Sequence, residues 1–282
     1  MIVFSGFDGM SCAQIALNKL GVNPTKYYAS EINEPAIKVT QANYPNTIQM
    51  GDITKWREWD LEWSNIDLIA GGSPCQGFSF AGKQLAFNDP RSALVFVWID
   101  ILNHIKSLNP NVKFMLENVK MKKCNLDVIS QKLGVKPVFI NSSDHSACAR
   151  PRYYWMNYFT HPLDSINDDF YTEKLEGDLI KMSPGWNKWW LKNSAFQIKK
   201  SYSKIVREKE KGITMTARQY ASWNGNFVEF NGSICKPGKK SLANLVGAPL
   251  SYFDCVSQRQ TELMTGNGQT VDVIAHIFKG LL

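Results

Sequence analysis

The chain opens MIVFSGFDGMSCAQIALNKLG over residues 1–21. Ile2 to Phe4 reads as a short buried strand. Phe7-Asp8-Gly9-Met10-Ser11 reads as a tight turn, and Cys12 to Leu20 as a helix stopped by Gly21. The same rhythm repeats downstream. Tyr27 to Ser30 is a strand, Glu34 to Asn43 a helix, and Ile66 to Ala70 a second buried strand. Arg91 to Ile105 is a helix, with apolar residues at 94, 95, 98, 99, 101, 102 and 105 in near-helical spacing. Val112 to Leu116, Pro137 to Ile140 and Tyr153 to Tyr158 are further strands. Strands alternating with helices imply an α/β fold with a doubly wound sheet, whose ligands sit beyond the carboxyl ends of the strands.

Beyond residue 162 the pattern changes. Residues 163–240 are rich in Lys, Asn, Ser and Trp, show weak periodicity and offer no further strand–helix units. Thr270 to Phe278 (TVDVIAHIF) then returns as an apolar helix expected to pack onto the first domain. The expected organisation is residues 1–162 plus 241–282 as one α/β domain, with 163–240 as a smaller insertion. Between Lys181 and Arg218 there are ten Lys or Arg residues against two acids, Glu208 and Glu210. Trp186, Trp189, Trp190, Phe196 and Tyr202 are interleaved with them. Such a stretch is either a solvated basic surface over a small aromatic core or a nucleic-acid face. The net charge of +7 across 282 residues agrees with a polyanionic partner without requiring one.

Several function classes are disfavoured. No apolar run reaches about 18 residues, so no membrane span is expected. The first residues lack a basic segment leading into a long apolar one, so a cytoplasmic protein is expected. The six cysteines, at 12, 75, 124, 148, 235 and 255, form no C-x-x-C pair, and only four histidines are present. Neither a metal site nor a disulfide framework is expected.

Four segments carry candidate chemistry. The Phe7–Ser11 turn lies between a strand and a helix, where backbone N–H groups can meet a ligand, though a ligandless turn looks the same. Glu31 ends the second strand about 20 residues later, as ribose-binding acids do, or it caps the next helix. Asp52, in Gly51-Asp52-Ile53-Thr54, suits an adenine amino group or is an ordinary turn residue. Together the three outline a cofactor with an adenosine moiety. The segment Ala70-Gly71-Gly72-Ser73-Pro74-Cys75-Gln76-Gly77-Phe78-Ser79 follows the most hydrophobic strand. A thiol in such a glycine-flanked loop is placed for covalent attack on an electron-poor carbon, unlike a core cysteine. Glu117 and Asn118, in FMLENV, end another buried strand. Partial desolvation there favours a protonated carboxyl and makes Glu117 a candidate proton donor, or it simply caps the strand.

Gly72-Ser73-Pro74-Cys75-Gln76, Glu117-Asn118-Val119 and Gly266-Asn267-Gly268, in this order after an N-terminal glycine turn, resemble the DNA cytosine-5 methyltransferase family. The likeness covers residues 1 to about 160 and about 241 to 282. It is nearest to compact phage and bacterial members, and Phe7-Asp8-Gly9 is also similar to the animal de novo enzymes. The resemblance implies a Rossmann-like S-adenosylmethionine-dependent methyltransferase sheet with a small inserted target-recognition domain at 163–240. It implies S-adenosyl-L-methionine as cofactor, S-adenosyl-L-homocysteine as product and double-stranded DNA as partner. The implied catalytic set is Cys75, Glu117, Arg152, Asn118 and Pro74, with Cys75 adding to C6 of a flipped-out cytosine and Glu117 holding its N3 edge. Arg152 belongs to Cys148-Ala149-Arg150-Pro151-Arg152, which maps onto the family's Gln-x-Arg-x-Arg block with Cys148 in place of Gln. It is implied as a donor to the base carbonyl, although a phosphate contact or an ion pair fits it too.

The implied cofactor set is Phe7, Asp8, Gly9, Met10, Ser11, Glu31, Ile32, Asp52, Ile53, Gly72, Pro74, Asn267 and Thr270. The implied DNA-binding set is Gln76, Ser79, Arg91, Ser92, Arg150 and Arg218, with Arg150 also supporting the structure around it. Ser11 and Cys12 replace the usual second and third glycines of the first turn. A monomer suffices for an asymmetric flipped base. An RNA cytosine-5 methylase on the same domain is the alternative enzyme, but its Cys-Phe-Thr tripeptide is absent from the sequence. A catalytically silent DNA-binding module would not need Cys75, Glu117 and Arg152 together.

Overall fold

The structure is a computed structural model that describes residues 1–75, 77–78, 86–159, 168–185, 187–188, 202–221 and 224–282. It divides into two compact units. The first comprises Met1–Ile140, Pro151–Pro162 and Ile274–Leu282, and the second Asn141–Arg150 and Leu163–Val273.

The first unit is built on a seven-stranded sheet of order β3-β2-β1-β4-β5-β7-β6. Its strands are β1 Ile2–Gly6, β2 Lys26–Ser30, β3 Ile48–Gln49, β4 Leu68–Gly72, β5 Lys113–Val119, β6 Val138–Asn141 and β7 Pro151–Met156. Neighbours from β3 to β5 run parallel, and β7 runs antiparallel to β5. The order reverses after β1, between it and β4, which puts the switch point of the sheet beside the first turn and the Cys75 loop.

Helices α1 Cys12–Lys19, α2 Glu34–Asn43, α3 Pro90–Leu108 and α4 Lys123–Leu133 connect the strands. Asn33 caps α2 by accepting from the Ala36 N–H, and Asp89 caps α3 by accepting from the Arg91 N–H, with Pro90 in its first turn. Trp98 of α3 is fully buried and donates from Nε1 to the Ala70 carbonyl at 3.2 Å, pinning that helix under β4. The core around it takes Phe4, Ile69, Val95, Ile99, Leu102, Phe114 and Leu116. The α4 helix was not foreseen, although Ile129 and Leu133 are its buried residues and Gly134, at φ 72°, ends it.

The second unit contains a four-stranded sheet of order β8-β11-β10-β9 where the sequence shows only weak periodicity. Its strands are β8 Leu179–Lys181, β9 Ser203–Ile205, β10 Gly225–Phe230 and β11 Ser233–Pro237. β10 and β11 form a hairpin with Phe230 opposite Ser233, so Asn231-Gly232 is a two-residue turn, with φ 49° and 68°. Asn-Gly between apolar runs is the sequence signal for this hairpin. Helices α5 Lys239–Val246 and α6 Gln258–Asn267 follow. They lie in the second unit, whereas the sequence places 241–282 entirely with the first domain. The reason is local: α5 follows directly on β11, and the Gln258 side chain of α6 donates to the Pro237 carbonyl. The apolar helix at the chain end, α7 Val271–Phe278, is found one residue shorter than expected, and the division between units falls within it.

Candidate active site

β4 and β5 are parallel neighbours with Gly72 opposite Glu117, so the loop leaving β4 and the end of β5 share one sheet edge. Cys75 is half-buried in that loop. Asn118 fastens the loop: its Nδ2 donates to Ser73 Oγ at 2.8 Å, while its Oδ1 accepts from the Val119 N–H. After the cysteine, Phe78 N–H donates to the Cys75 carbonyl at 3.0 Å, and Gly77 N–H donates to Ser92 Oγ at 2.8 Å. Ser92 is fully buried, so it fastens the Cys75 loop to α3 and is not the DNA-facing residue expected. Asn118 and Ser92 thus set the conformation of the loop on either side of Cys75.

Glu117 and Arg152 meet in an ion pair, Nε to Oε1 at 2.7 Å, with side chains 9% and 12% exposed. The antiparallel register of β5 and β7 brings this about, with Val119 opposite Arg152 and Tyr154 opposite Glu117. The partly desolvated carboxyl expected at the end of β5 is therefore buried beside a cation. A guanidinium compensates its charge and leaves a paired acid and base at the carboxyl end of β5. Arg91 is paired as well, through a 2.8 Å contact with Asp89 beside its own helix start. The hydrogen bonds from Arg91 are the main force holding the Asp89 carboxyl below its usual range. The Arg91 side chain is otherwise 62% exposed.

The first turn is held in an unusual backbone. Phe7, Gly9 and Ser11 all have positive φ, near 57–59°. The N–H groups along the turn are bonded within the protein: Asp8 N–H donates to the Ser30 carbonyl at 3.1 Å and Ser11 N–H to the Asp8 carbonyl at 3.0 Å. Glu31 closes the turn, accepting from Gly9 N–H at 2.7 Å through Oε2 and from Ile32 and Asn33 N–H at 2.8 Å through Oε1. Ile32 is 73% exposed beside it, an aliphatic face suited to cover a purine ring. Asp52 is exposed and caps a short 3-10 turn, accepting from Thr54 N–H at 2.9 Å.

Five expected cofactor residues are buried: Asp8, Met10, Ser11, Ile53 and Thr270. Met10 is 1% exposed and Ile53, part of the core with Phe4 and Trp98, 4%. Asp8 is buried, accepting from the hydroxyls of Ser11 and Tyr27. Burial pushes its carboxyl up to about 6, against the pull of those hydroxyls. Its contacts lock the left-handed Ser11 that stands where the family has glycine.

Asn267, Thr270, Arg150 and Arg218 lie in the second unit. Arg150, expected to touch DNA, is buried and donates at 3.2 Å to the carbonyls of Met215, Gly266 and Asn267. It is an internal tie, in agreement with its expected supporting role. Cys148 is buried, and burial pushes its thiol up to about 12. Arg218 is exposed. Gln76 and Ser79, with Trp186, Trp189, Trp190 and Phe196 of the basic stretch, lie outside the described residues. Among the described residues no disulfide forms, no group of three His, Cys, Asp or Glu could hold a metal, and no helix is long and apolar enough to cross a membrane.

A switch-point turn closed by an acid, beside a thiol loop and a paired carboxylate, is the arrangement of an α/β methyltransferase fold. The structure superposes on that of Entamoeba histolytica methyltransferase EhMeth with a TM-score of 0.78 at 16% identity, covering 100% of this chain and 99% of that one. The family model for C-5 cytosine-specific DNA methylases matches residues 1–282, and the chain belongs to that family. It is similar to the type II methyltransferase M1.ScrFI of Lactococcus lactis subsp. cremoris, 42% identical over 312 residues, covering 96% of this chain and 76% of that protein. It is also 39% identical over 119 residues to the type II methyltransferase M.NlaIV of Neisseria lactamica. That match takes in 42% of this chain and only 27% of the length of M.NlaIV.

Proposed function

We propose that the chain methylates C5 of cytosine in duplex DNA, with Cys75 as nucleophile and S-adenosyl-L-methionine as methyl donor. The observation that carries the proposal is the buried Glu117–Arg152 pair, set on the strand adjacent to the one that leads into Cys75. C5 and C6 of a stacked cytosine cannot be reached, so the base must leave the helix. The Cys75 thiolate adds to C6, forming the S–C6 bond and moving electron density onto C5 and the N3 edge. Glu117, carrying a proton in this step, donates it toward N3 and accepts from the exocyclic amine, offsetting the charge that builds there, and Arg152 orients that carboxyl and donates toward the base carbonyl. The bound cofactor supplies an electrophilic methyl group. After C5 has been methylated, its proton passes to water, the C5–C6 double bond re-forms and the C6–S bond breaks to release the Cys75 thiolate.

The Glu31 carboxylate and the exposed Ile32 side chain beside it fit a cofactor that has a ribose and a purine. Phe7, Gly9, Glu31, Ile32 and Asp52 are the residues of the first unit that would hold it. Residues 163–240 would recognise the target sequence and supply phosphate contacts.

The test is transfer of tritium from labelled cofactor to duplex DNA, with tRNA as the alternative acceptor. Label in DNA is expected. Label in tRNA alone would replace the substrate, and label in neither would refute the activity. Cys75→Ser is expected to abolish transfer while cofactor binding persists. DNA carrying 5-fluorocytosine is expected to form a covalent adduct, because fluorine does not leave as a proton does.

A further inference from the structure

Gly6 of β1 and Gly71 of β4 are register partners beside the switch point of the sheet, and neither has room for a side chain. A Cβ on Gly6 would stand 2.6 Å from Cδ1 of the Trp98 indole, and one on Gly71 would stand 2.5 Å from its Nε1. The flat ring therefore lies against the backbone of both strands at once, in a slot that two missing side chains leave open. Nε1 donates to the Ala70 carbonyl at 3.2 Å, one residue before Gly71. Phe114 of β5 meets the indole edge to face, with ring centroids 6.3 Å apart. Trp98 is 0% exposed, so in a close-packed core its ring cannot shift without displacing a strand.

The chain runs from Gly6 directly into the first turn, Phe7–Ser11, and from Gly71 through Gly72-Ser73-Pro74 into Cys75. One side chain thus touches the origins of both loops. Its own helix grips the second loop again at the far end, where Gly77 N–H donates to Ser92 Oγ. Ser92 precedes Trp98 by six residues, about 9 Å along α3, so the Cys75 loop is tied at its start and its end to one rigid rod. Ile53, the neighbour of Asp52, closes on Gly6 as well, its Cδ1 3.0 Å from where a Cβ would stand. Spacing of this kind matters to a transfer reaction, because a misplacement of about 1 Å between reacting groups costs on the order of a hundredfold in rate.

We propose that Trp98 is a positioning residue for methyl transfer: its ring, seated on Gly6 and Gly71, sets the spacing between the turn assigned to the cofactor and the loop that carries Cys75. This role rests on the methyl transfer proposed above. It adds to the site a side chain that no ligand reaches and that acts only through the two glycines and the Ala70 carbonyl.

Trp98→Phe in the full chain keeps a ring in the core but removes the N–H and the indole atoms nearest the two glycines. With duplex DNA and labelled cofactor it is expected to lower kcat roughly ten- to hundredfold, while KM for cofactor and for DNA stays within about threefold. Gly71→Ala, which forces the indole away, is expected to do the same. Combining Trp98→Phe with Gly71→Ala puts a methyl group where the indole atoms stood, and its kcat should exceed that of either single variant by about threefold or more. Ile105→Ala, at a fully buried position further along α3, is the control for packing alone. Its thermal midpoint should fall at least as far as that of Trp98→Phe, with kcat near the wild-type value. A wild-type kcat in Trp98→Phe overturns the proposal, as does an equal loss of kcat in Ile105→Ala. A double variant no faster than the singles, or a rise in KM that accounts for the whole loss, overturns it too. If the wild-type chain methylates DNA and these results fail, only Trp98 is misassigned. If it transfers no methyl group to DNA, the proposed function falls first and the role of Trp98 with it.

Discussion

Arg152→Met tests whether the Glu117–Arg152 pair is a single electrostatic unit. Methionine keeps much of the arginine's length and removes its charge. The partners are 2.7 Å apart, and their side chains are only 12% and 9% exposed, so water screens the remaining charge poorly. Truncating one partner of a buried pair strands the other, a loss of about 3–5 kcal/mol. For a chain of this size that corresponds to a fall in thermal midpoint of roughly 6–15 °C. Glu117→Gln leaves the guanidinium stranded and is expected to fall by a similar amount. The double variant strands nothing, so its loss should fall short of the sum of the two singles by a coupling on the order of 1–3 kcal/mol. All three are expected to be inactive in the tritium assay while still binding cofactor. Unfolding of Arg152→Met at the wild-type temperature would refute the coupling, and so would a double variant equal to the sum of the two singles.

Other perturbations bear on the loops that frame the site. The Asp8 carboxyl is raised to about 6 from its ordinary 3.8, so the folded chain retains a proton that the unfolded chain has released. The stability linked to that proton is complete below about pH 4 and is lost as pH rises through about 6. Asp8→Asn, which cannot ionise, should flatten this dependence and gain up to about 3 kcal/mol at pH 8 in urea unfolding. An unaltered pH profile would show that Asp8 is not the group responsible. Asn118→Ala removes the tie to Ser73 and is expected to cost about 1–3 kcal/mol and to lower kcat more than it raises the KM for cofactor. A normal kcat would mean that the Cys75 loop holds its own shape. Gly232→Val, at φ 68°, should destabilise the hairpin by about 1–3 kcal/mol, checked by urea unfolding; no change would mean that the turn has relaxed to another type.

The sequence by itself determined the alternation of strand and helix through the first 160 residues and most of the elements within it. Apolar spacing, the Asp89-Pro90 helix start and the glycine stops are local signals, and local signals survive in one dimension. It also marked Cys75, Glu117 and Arg152, because short motifs keep their residue types wherever they fold. The small sheet of the second unit was hidden, since three of its four strands have five or fewer residues and one of them buries a lysine; only Asn231-Gly232 announced it. Partners across strands were illegible for a different reason. Glu117 and Arg152 are 35 positions apart and meet only through the register of β5 and β7, while Ser92 reaches Gly77 only because α3 packs beneath β4. Likewise, nothing in the composition tells a buried Met10 or Asp8 from one facing a ligand. Tertiary structure alone decided that Glu117 is paired and that Ser92 and Arg150 face inward, because each depends on contacts between segments whose separation along the chain carries no energy of its own.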